Sequence, residues 1–387
     1  MKPIESKKQP LRFALDLTWV RHGIVGGTES FVCNLIAGFK ECAKACPGEI
    51  DLRLLTAHDN REVFRKYECP EGIRTIECDV LSADRKARLL WQNLQMGRLV
   101  KKMGIGIVLE PVYSKPFFGT KGIRYVTVIH DLQAWHFPEY FSGKRVWWMK
   151  CCWRNTVKTS DIVIATSEYT AQDIRTKIPG DARKYRTIAI PIVLSNEVAG
   201  AELLERYGIR EKNYYYTVSS QVPHKNLATL LRAMGELKRK QSVAMRPLVI
   251  TGVGKGVTGE LQQILHEEAL ESDVIFTGFI QDSERNALYH KCRAFLFPSI
   301  FEGFGMPPIE AMALQVPVLT TTCASIREVT NGLVNYVKDP KDPKEWAECL
   351  EQELKLPEWP DVEELLKKYE KRRIAEQYLQ VMREMAE

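Results

Sequence analysis

No stretch of this 387-residue chain approaches the ~18 consecutive apolar residues that a membrane span requires. The opening segment, MKPIESKKQPLRFALDL, lacks the apolar core of a secretory signal. Both gaps point to a cytoplasmic protein that is soluble or, at most, peripheral on the cytoplasmic face of a membrane. The ten cysteines are scattered, with no CxxC pair and no zinc-type spacing to the seven histidines. Adjacent Cys151 and Cys152 cannot easily bridge each other, so the thiols read as reduced. An acidic D-x-D motif is also missing, and no metal ion is expected. No basic run is interleaved with stacking aromatics, which argues against nucleic acid as a partner. Low-complexity segments and short-period repeats are absent.

What remains is ordinary globular composition, 45% hydrophobic and 27% charged, at a length that predicts two domains. The charge is unevenly shared. Residues 1–200 carry 31 Lys and Arg against 21 Asp and Glu, a net of +10, while the rest carry 24 against 28. A basic N-terminal half suits an anionic partner, such as an anionic membrane surface or a phosphate-bearing acceptor. Mild basicity without a partner is the competing explanation. The segment SGKRVWWMKCCWRNTVK (142–158) sharpens the choice. Its tryptophans beside Lys and Arg suit a membrane interface, but packing in the core against a sheet is the favoured reading.

Strand-like runs alternate with helical patterns along the whole chain. FALDL (13–17), DLRLLTA (51–57), IGIVLE (105–110), YVTVIHD (125–131) and DIVIATS (161–167) are separated by long amphipathic segments such as ESFVCNLIAGFKECAKA and ARLLWQNLQMGRLVKKMG. The alternation resumes with NYYYTVS, PLVITGV, VIFTGF, AFLFPS and VPVLTT. Strands joined by helices of this length form parallel sheets covered on both faces, so two Rossmann-like α/β domains are expected, 1–196 and 197–369. The hinge is placed between Pro191 and Ala201, after the strand YRTIAI. A charged helix closes the chain.

The chemistry concentrates in FPSIFEGFGMPPIEAMALQVPVLTT, Phe297 to Thr321. Glu302 and Glu310 have seven residues between them, with the turn Gly303-Phe304-Gly305 after the first and Pro307-Pro308 before the second. Proline at a first helical position marks a helix start. Glycines before it let the backbone approach a ligand, with N–H groups and the positive end of the helix dipole directed at it. Carboxylates on either side accept hydrogen bonds from sugar hydroxyls. This pattern suits a polyhydroxylated, anionic ligand. YTVSSQVPHKNLATLLRAM (216–234) sets Lys225 at a strand-loop-helix junction, where its charge can meet a diphosphate. VTVIHDLQAWHFPEYFS (126–142) ends a strand on His130-Asp131, at the sheet mouth where ligands bind. RHGIVGGTESFVCNLI (21–36) sets Gly26-Gly27 before a helix whose N-cap is expected at Thr28. TGVGKGVTG (251–259) lacks the G-K-[ST] ending of a P-loop and departs from GxGxxG. It reads as a turn in the second domain.

The Glu302–Glu310 stretch resembles the donor-site signature of retaining GT-B glycosyltransferases of family 4, F-E-G-F-G-x-P-x-x-E-A-M-A. The resemblance implies a GT-B fold, two Rossmann-like domains facing each other across a cleft, with the final helix (about 370–387) crossing back onto the first. It implies that Glu310 holds the ribose hydroxyls, Glu302 the sugar hydroxyls, and the amides of Gly303, Phe304, Gly305 and Met306 the sugar and phosphate. The 216–234 segment is similar to the family's V-G-R-x-x-x-x-K-N-L element, with Lys225, Asn226 and Leu227 matching. The clamp arginine is replaced by Ser220, leaving charge compensation to His224 or a helix dipole. His130 corresponds to the family's histidine near the donor sugar, with Asp131 a candidate to hold its ring. Gly26 and Gly27 match the first glycine-rich loop.

The expected activity is metal-independent, retaining transfer of a hexose from a nucleotide diphosphate sugar to a hydroxyl of a saccharide or lipid-linked acceptor, in polysaccharide or glycolipid synthesis. His130, Glu302 and Lys225 form the expected catalytic set. No cofactor is expected; GDP-mannose is the favoured donor substrate, because H-D-L-x-x-x-x-F-P-E-Y and P-x-K-N-L look most like mannosyltransferase-type members. A GT-B epimerase, a phosphorylase and a non-catalytic nucleotide-sugar-binding scaffold are the alternatives.

Overall fold

A computed structural model describes residues 9–24, 26–194, 198–200, 202–254 and 256–386. The chain divides into two compact units: one runs to Pro191 and resumes at Tyr369, and the other spans Ile192–Lys368. The boundary expected at 196/197 lies outside the described residues.

The first unit is built on seven parallel strands: β1 (Leu11–Asp16), β2 (Ile50–Thr56), β3 (Ile73–Glu77), β4 (Ile107–Glu110), β5 (Arg124–Ile129), β6 (Ile162–Ala165) and β7 (Tyr185–Thr187), in the order 3-2-1-4-5-6-7. The second holds six: β8 (Tyr215–Val218), β9 (Leu248–Thr251), β10 (Val274–Gly278), β11 (Ala294–Phe297), β12 (Val318–Thr320) and β13 (Asn335–Tyr336), in the order 10-9-8-11-12-13. Both are Rossmann-like α/β sheets. The central strands β4, β6, β9 and β11 are buried at every residue. Helices cover both faces, so no polar alternation survives in these strands. Two strands escaped the sequence reading, β3 and β13, and both are edge strands. β3 alternates Ile with Arg and Thr because one face is partly solvated, and β13 is only two residues long.

Strand order fixes where chemistry can gather. In the first sheet the order reverses between β1 and β4, and in the second between β8 and β11. At such points the loops after the two strands diverge and leave a crevice at the strands' carboxyl ends.

Two helical details differ from expectation. The helix expected from Thr28 begins at Gly27, with Gly26 as its N-cap at φ +71. Thr28 is already inside the first turn, and Glu29 reaches back to the Gly23 amide at 3.0 Å and the His22 ring at 2.6 Å. The segment expected as one helix over 87–104 runs from Arg85 to Lys102 with a π turn at Gln92–Met96. The wider turn changes the rotation of the residues that follow it, and such turns recur at functional sites.

The final helix, Lys371–Ala386, packs on the helix Gly27–Ala45. Tyr378 meets Phe39 edge-on at 6.4 Å between ring centroids, and Lys371 and Arg383 pair with Glu41 and Glu49. Seven of its side chains, from Ile374 to Met385, are buried. Full burial of a large apolar side chain is worth about 1.5–3 kcal/mol, so the helix is an integral part of this unit. The crossing depends on Gly38, where an added Cβ would fall 2.2 Å from the Lys371 carbonyl oxygen and 2.9 Å from the Ala375 methyl. The Gly38→Ala variant should therefore lose about 1–3 kcal/mol in urea unfolding. Unchanged stability would mean that the two helices part without cost.

Candidate functional site

The second unit assembles its site from the loops after β8 and β11, the strands flanking the switch point. Their adjacency brings Lys225 Nζ to 2.6 Å from Glu302 Oε1, across 77 residues of sequence. Both side chains are largely screened, at 22% and 14% exposure, and the Lys225 ammonium also lies over the Phe297 ring at 5.7 Å. The loops are sewn together through the main chain. The His224 carbonyl accepts from the Ile300 amide at 2.9 Å and from Ser299 Oγ at 3.2 Å. Asn226 takes the left-handed conformation, φ +55, between Lys225 and the following helix. Asn tolerates this region better than most residues. Its amide nitrogen donates to the Pro340 carbonyl and its oxygen accepts from Thr229. In the K-N-L triplet, Asn226 thus aims the loop.

The Gly303–Gly305 turn ends in Gly305 at φ +94, a conformation that strains any L side chain, and the helix Met306–Ala313 follows. Met306 is the first helical residue, one before Pro307, so the proline signal placed the start to within a residue. Ser325 Oγ donates to the carbonyl oxygens of Glu302 and Phe304, 2.9 Å from each, and fixes the turn from beneath. Glu310 lies in the second turn of this helix. Its Oε2 accepts from the buried Tyr289 hydroxyl at 3.2 Å, and Arg285 is near enough to interact with it electrostatically.

Ser325, Tyr289 and Arg285 were not anticipated from sequence. Each comes from a different element and carries no local motif. Gln221 was missed as well. Its amide nitrogen donates to the carbonyls of Val253 and Gly256, and its oxygen accepts from the Thr258 amide, tying the second glycine string to the Lys225 loop. Gly252 allows that approach: at φ +95, a Cβ there would sit 2.5 Å from the Ser219 carbonyl oxygen.

One expectation for this unit needs correction. His224 does not supply positive charge. Burial first, and the neighbouring Lys225 second, push its imidazole down to about 4 against the pull of Glu302, so it is neutral at pH 7. Ser220 is not joined to the Lys225–Glu302 pair; its carbonyl accepts from Ser219 Oγ, and its own hydroxyl makes no hydrogen bond among the described residues.

In the first unit, a cavity of about 590 Å³ opens at the carboxyl ends of β1, β4 and β5, and His130 and Thr28 line it. Phe31, one turn into the helix that starts at Gly26-Gly27, packs edge-on against the His130 ring at 4.8 Å. The helix that follows the glycine pair thus meets His130 through Phe31, whereas Gly26 and Gly27 do not line the cavity. His130 Nε2 lies 2.9 Å from the Pro111 carbonyl. Burial pushes the ring down to about 4, with the carbonyl pulling the other way. The neutral ring must carry its proton on Nε2 to donate to that carbonyl, which leaves Nδ1 as an acceptor. Asp131 does not hold this ring: its Oδ1 accepts from the Gln133 amide instead.

Beneath the cavity lies a polar group that the sequence did not announce. Asp16 and Glu110 end adjacent strands, and Gln92 Nε2, at the start of the π turn, lies 3.2 Å from Asp16 Oδ2 and 3.3 Å from Glu110 Oε2. Asp16 Oδ1 accepts from the Thr18 amide and hydroxyl at 2.9 and 2.7 Å. Burial pushes both carboxyls up, Glu110 well above the usual carboxylate range, with the Asp16 charge adding to it. Among the described residues, no three of His, Cys, Asp and Glu gather as metal ligands would.

The tryptophans of the helix Gly143–Thr159 divide between the two readings. Trp153 is fully buried, in the core, whereas Trp147 is 66% exposed. Trp148 is intermediate and packs on Phe117 at 5.5 Å. No helix among the described residues is long and apolar enough to cross a membrane.

Comparison with known proteins gives concordant results for both halves. The family model described as Glycosyltransferase Family 4 matches residues 25–196, and that described as Glycosyl transferases group 1 matches residues 201–373. The chain is 26% identical over 247 residues to the O-antigen chain mannosyltransferase B of Escherichia coli, covering 62% of this chain and 63% of that protein. It is 29% identical over 232 residues to the O-antigen chain mannosyltransferase RfbU of Salmonella typhimurium, covering 59% and 61%. The matches thus span somewhat under two thirds of those relatives. Among solved structures, a glycosyltransferase from Rickettsia africae superposes with a TM-score of 0.68 at 16% identity, over 98% of this chain and 100% of that one. At that identity the likeness establishes a shared GT-B fold.

Proposed function

The chain belongs to the glycosyltransferases, family 4 in its N-terminal half and group 1 in its C-terminal half, and we propose on that premise that it moves a hexose from a nucleotide diphosphate sugar to an acceptor hydroxyl. The observation that carries this reading is the Lys225–Glu302 pair at the switch point of the second sheet, with a glycine turn and Glu310 immediately beyond it. In this reading the second unit holds the donor. Glu310 accepts from the ribose hydroxyls, Glu302 from the sugar hydroxyls, and the turn from Gly303 to Met306 meets sugar and phosphate. Lys225 faces the diphosphate as charge develops on the leaving group, and Ser220 offers it a hydroxyl. The Glu302 contact keeps the ammonium positioned before the donor arrives, the preorganisation on which electrostatic catalysis depends.

The first unit receives the acceptor, a saccharide or a lipid-linked saccharide. His130 offers Nδ1 to a sugar hydroxyl, and Gly26-Gly27 let the chain approach the bound groups closely. We further read the transfer as retaining and metal-independent. The acceptor oxygen attacks the face from which the diphosphate departs, and a leaving-group oxygen takes the acceptor proton. Mannose is the favoured sugar and GDP-mannose the favoured donor. The mannosyltransferase names of the two bacterial relatives support that choice, and their O-antigen role supports a place in polysaccharide synthesis. Exposed Trp147, on a helix carrying Lys144, Arg145 and Lys150, supports peripheral association with an anionic membrane.

Thermal shift against a panel of nucleotide sugars tests the reading. A ligand at ~100 times its dissociation constant stabilises by ~2.7 kcal/mol. GDP-mannose is expected to give the largest shift, unaltered by EDTA. No shift with any nucleotide sugar would overturn the proposal.

A further inference from the structure

We propose that the cavity of the first unit binds a phosphate ester carried by the acceptor, gripped by Arg21, Arg85, Arg88 and Arg145. This inference rests on the reading that the first unit receives the acceptor.

All four arginines line the same cavity, and among the described residues none is in an ion pair. Elsewhere some arginines are paired, such as Arg61 with Glu77 and Arg383 with Glu49, and others, such as Arg74 and Arg98, have no ion pair among the described residues; what sets these four apart is that they converge on one cavity. Two of the cavity's arginines are laid on aromatic rings, Arg85 over Trp148 at 5.6 Å and Arg145 over Phe141 at 5.1 Å. Stacking fixes a guanidinium plane while leaving its edge N–H groups to a ligand. The 19-residue helix Gly27–Ala45 adds to the field, because Thr28 in its first turn lines the cavity, at the positive end of the dipole.

Two carboxylates also line the space, Asp16 and Asp131. Asp16 is engaged by Thr18 and Gln92 and feels the charge of Arg88, Asp131 is engaged by the Gln133 amide, and four cations outnumber the two. Several guanidinium forks around one space suit a group that accepts along several directions, which phosphate does. A cavity of about 590 Å³ exceeds a lone phosphate and has room for an attached sugar ring. The ligand class is therefore a sugar bearing a phosphate ester, either free or linked through phosphate to a lipid.

Isothermal titration of the full chain with mannose 1-phosphate, at low salt, tests the site in wild type, Arg85→Gln/Arg145→Gln and Lys225→Ala. Arg85 and Arg145 are both exposed, so their replacement leaves the core untouched. Binding should weaken about tenfold for each arginine removed, a larger loss than in Lys225→Ala. Wild-type affinity in the double variant would overturn the proposal. So would equal loss in Lys225→Ala, which would place the phosphate in the donor site. Cosedimentation with anionic vesicles, with and without a prenyl diphosphate sugar, separates the sources. Binding that needs the prenyl diphosphate and is lost in the double variant identifies a lipid-linked acceptor, and titration without vesicle enhancement identifies a soluble one. The nucleotide-sugar shifts stand apart from these arms. If they fail while mannose 1-phosphate binds through the arginines, the donor reading fails and the phosphate site survives.

Discussion

Turnover of the Lys225→Ala variant should fall by roughly 10²–10³-fold, the scale of losing one preorganised stabiliser of developing charge. Its melting temperature should move far less. Lys225 pairs with Glu302 at 2.6 Å but keeps 22% of its side chain in solvent, and partly exposed pairs typically contribute about 0–1 kcal/mol to folding. The loop does not depend on the ammonium either. Main-chain bonds from His224 to Ile300, and the Asn226 contacts with Pro340 and Thr229, hold it from both sides. The asymmetry between rate and stability is thus the signature of a group whose charge acts on the leaving diphosphate. With Ser220 in place of an arginine and His224 neutral, neither of these side chains substitutes for the lost charge. Steady-state rates within twofold of wild type would move Lys225 out of the site.

Glu310→Ala should weaken nucleotide affinity by about 1.5–3 kcal/mol, roughly ten- to a hundredfold, because a charged acceptor for the ribose hydroxyls is removed. This substitution also touches stability. The Tyr289 hydroxyl is buried and donates to Glu310 Oε2, and alanine would leave it unsatisfied at a cost of about 1–3 kcal/mol. Glu310→Gln separates the two effects, since the amide oxygen still accepts from Tyr289. It should melt like wild type and bind donor with intermediate affinity. Unchanged affinity in Glu310→Ala, measured by isothermal titration, would remove Glu310 from the donor site.

The two-sheet architecture was readable because buried parallel strands must be continuously apolar and amphipathic helices must separate them. That logic found β1, β2, β4, β5, β6 and β7 in the first unit and five of six strands in the second. It failed at two of the four edges, β3 and β13: β3 shows one face to solvent and so mixes Arg and Thr with Ile. The Thr28 cap was misjudged because Ser, Thr and Asn preferences describe an average helix start. Here Gly26 at φ +71 lets the helix begin a residue early, and Glu29 closes the turn. The core reading of the tryptophans held for Trp153 and failed for Trp147, since a helix lying on a sheet buries only one of its faces.

By itself, the sequence determined which local pieces exist. Glycine before proline makes a turn and a helix start, Asn226 tolerates a left-handed backbone, and a lysine after a strand ends near a sheet mouth. These depend on steric and hydrogen-bonding properties of neighbours along the chain. Tertiary structure alone decided which pieces meet. Lys225 reaches Glu302 because β8 pairs with β11, and Gln92 reaches Asp16 and Glu110 because β1 pairs with β4 at the head of a π turn. Protonation was likewise decided by folding. For His130, His224 and Glu110 alike, burial, which removes the water that would solvate their charges, is the largest influence pushing them toward their neutral forms.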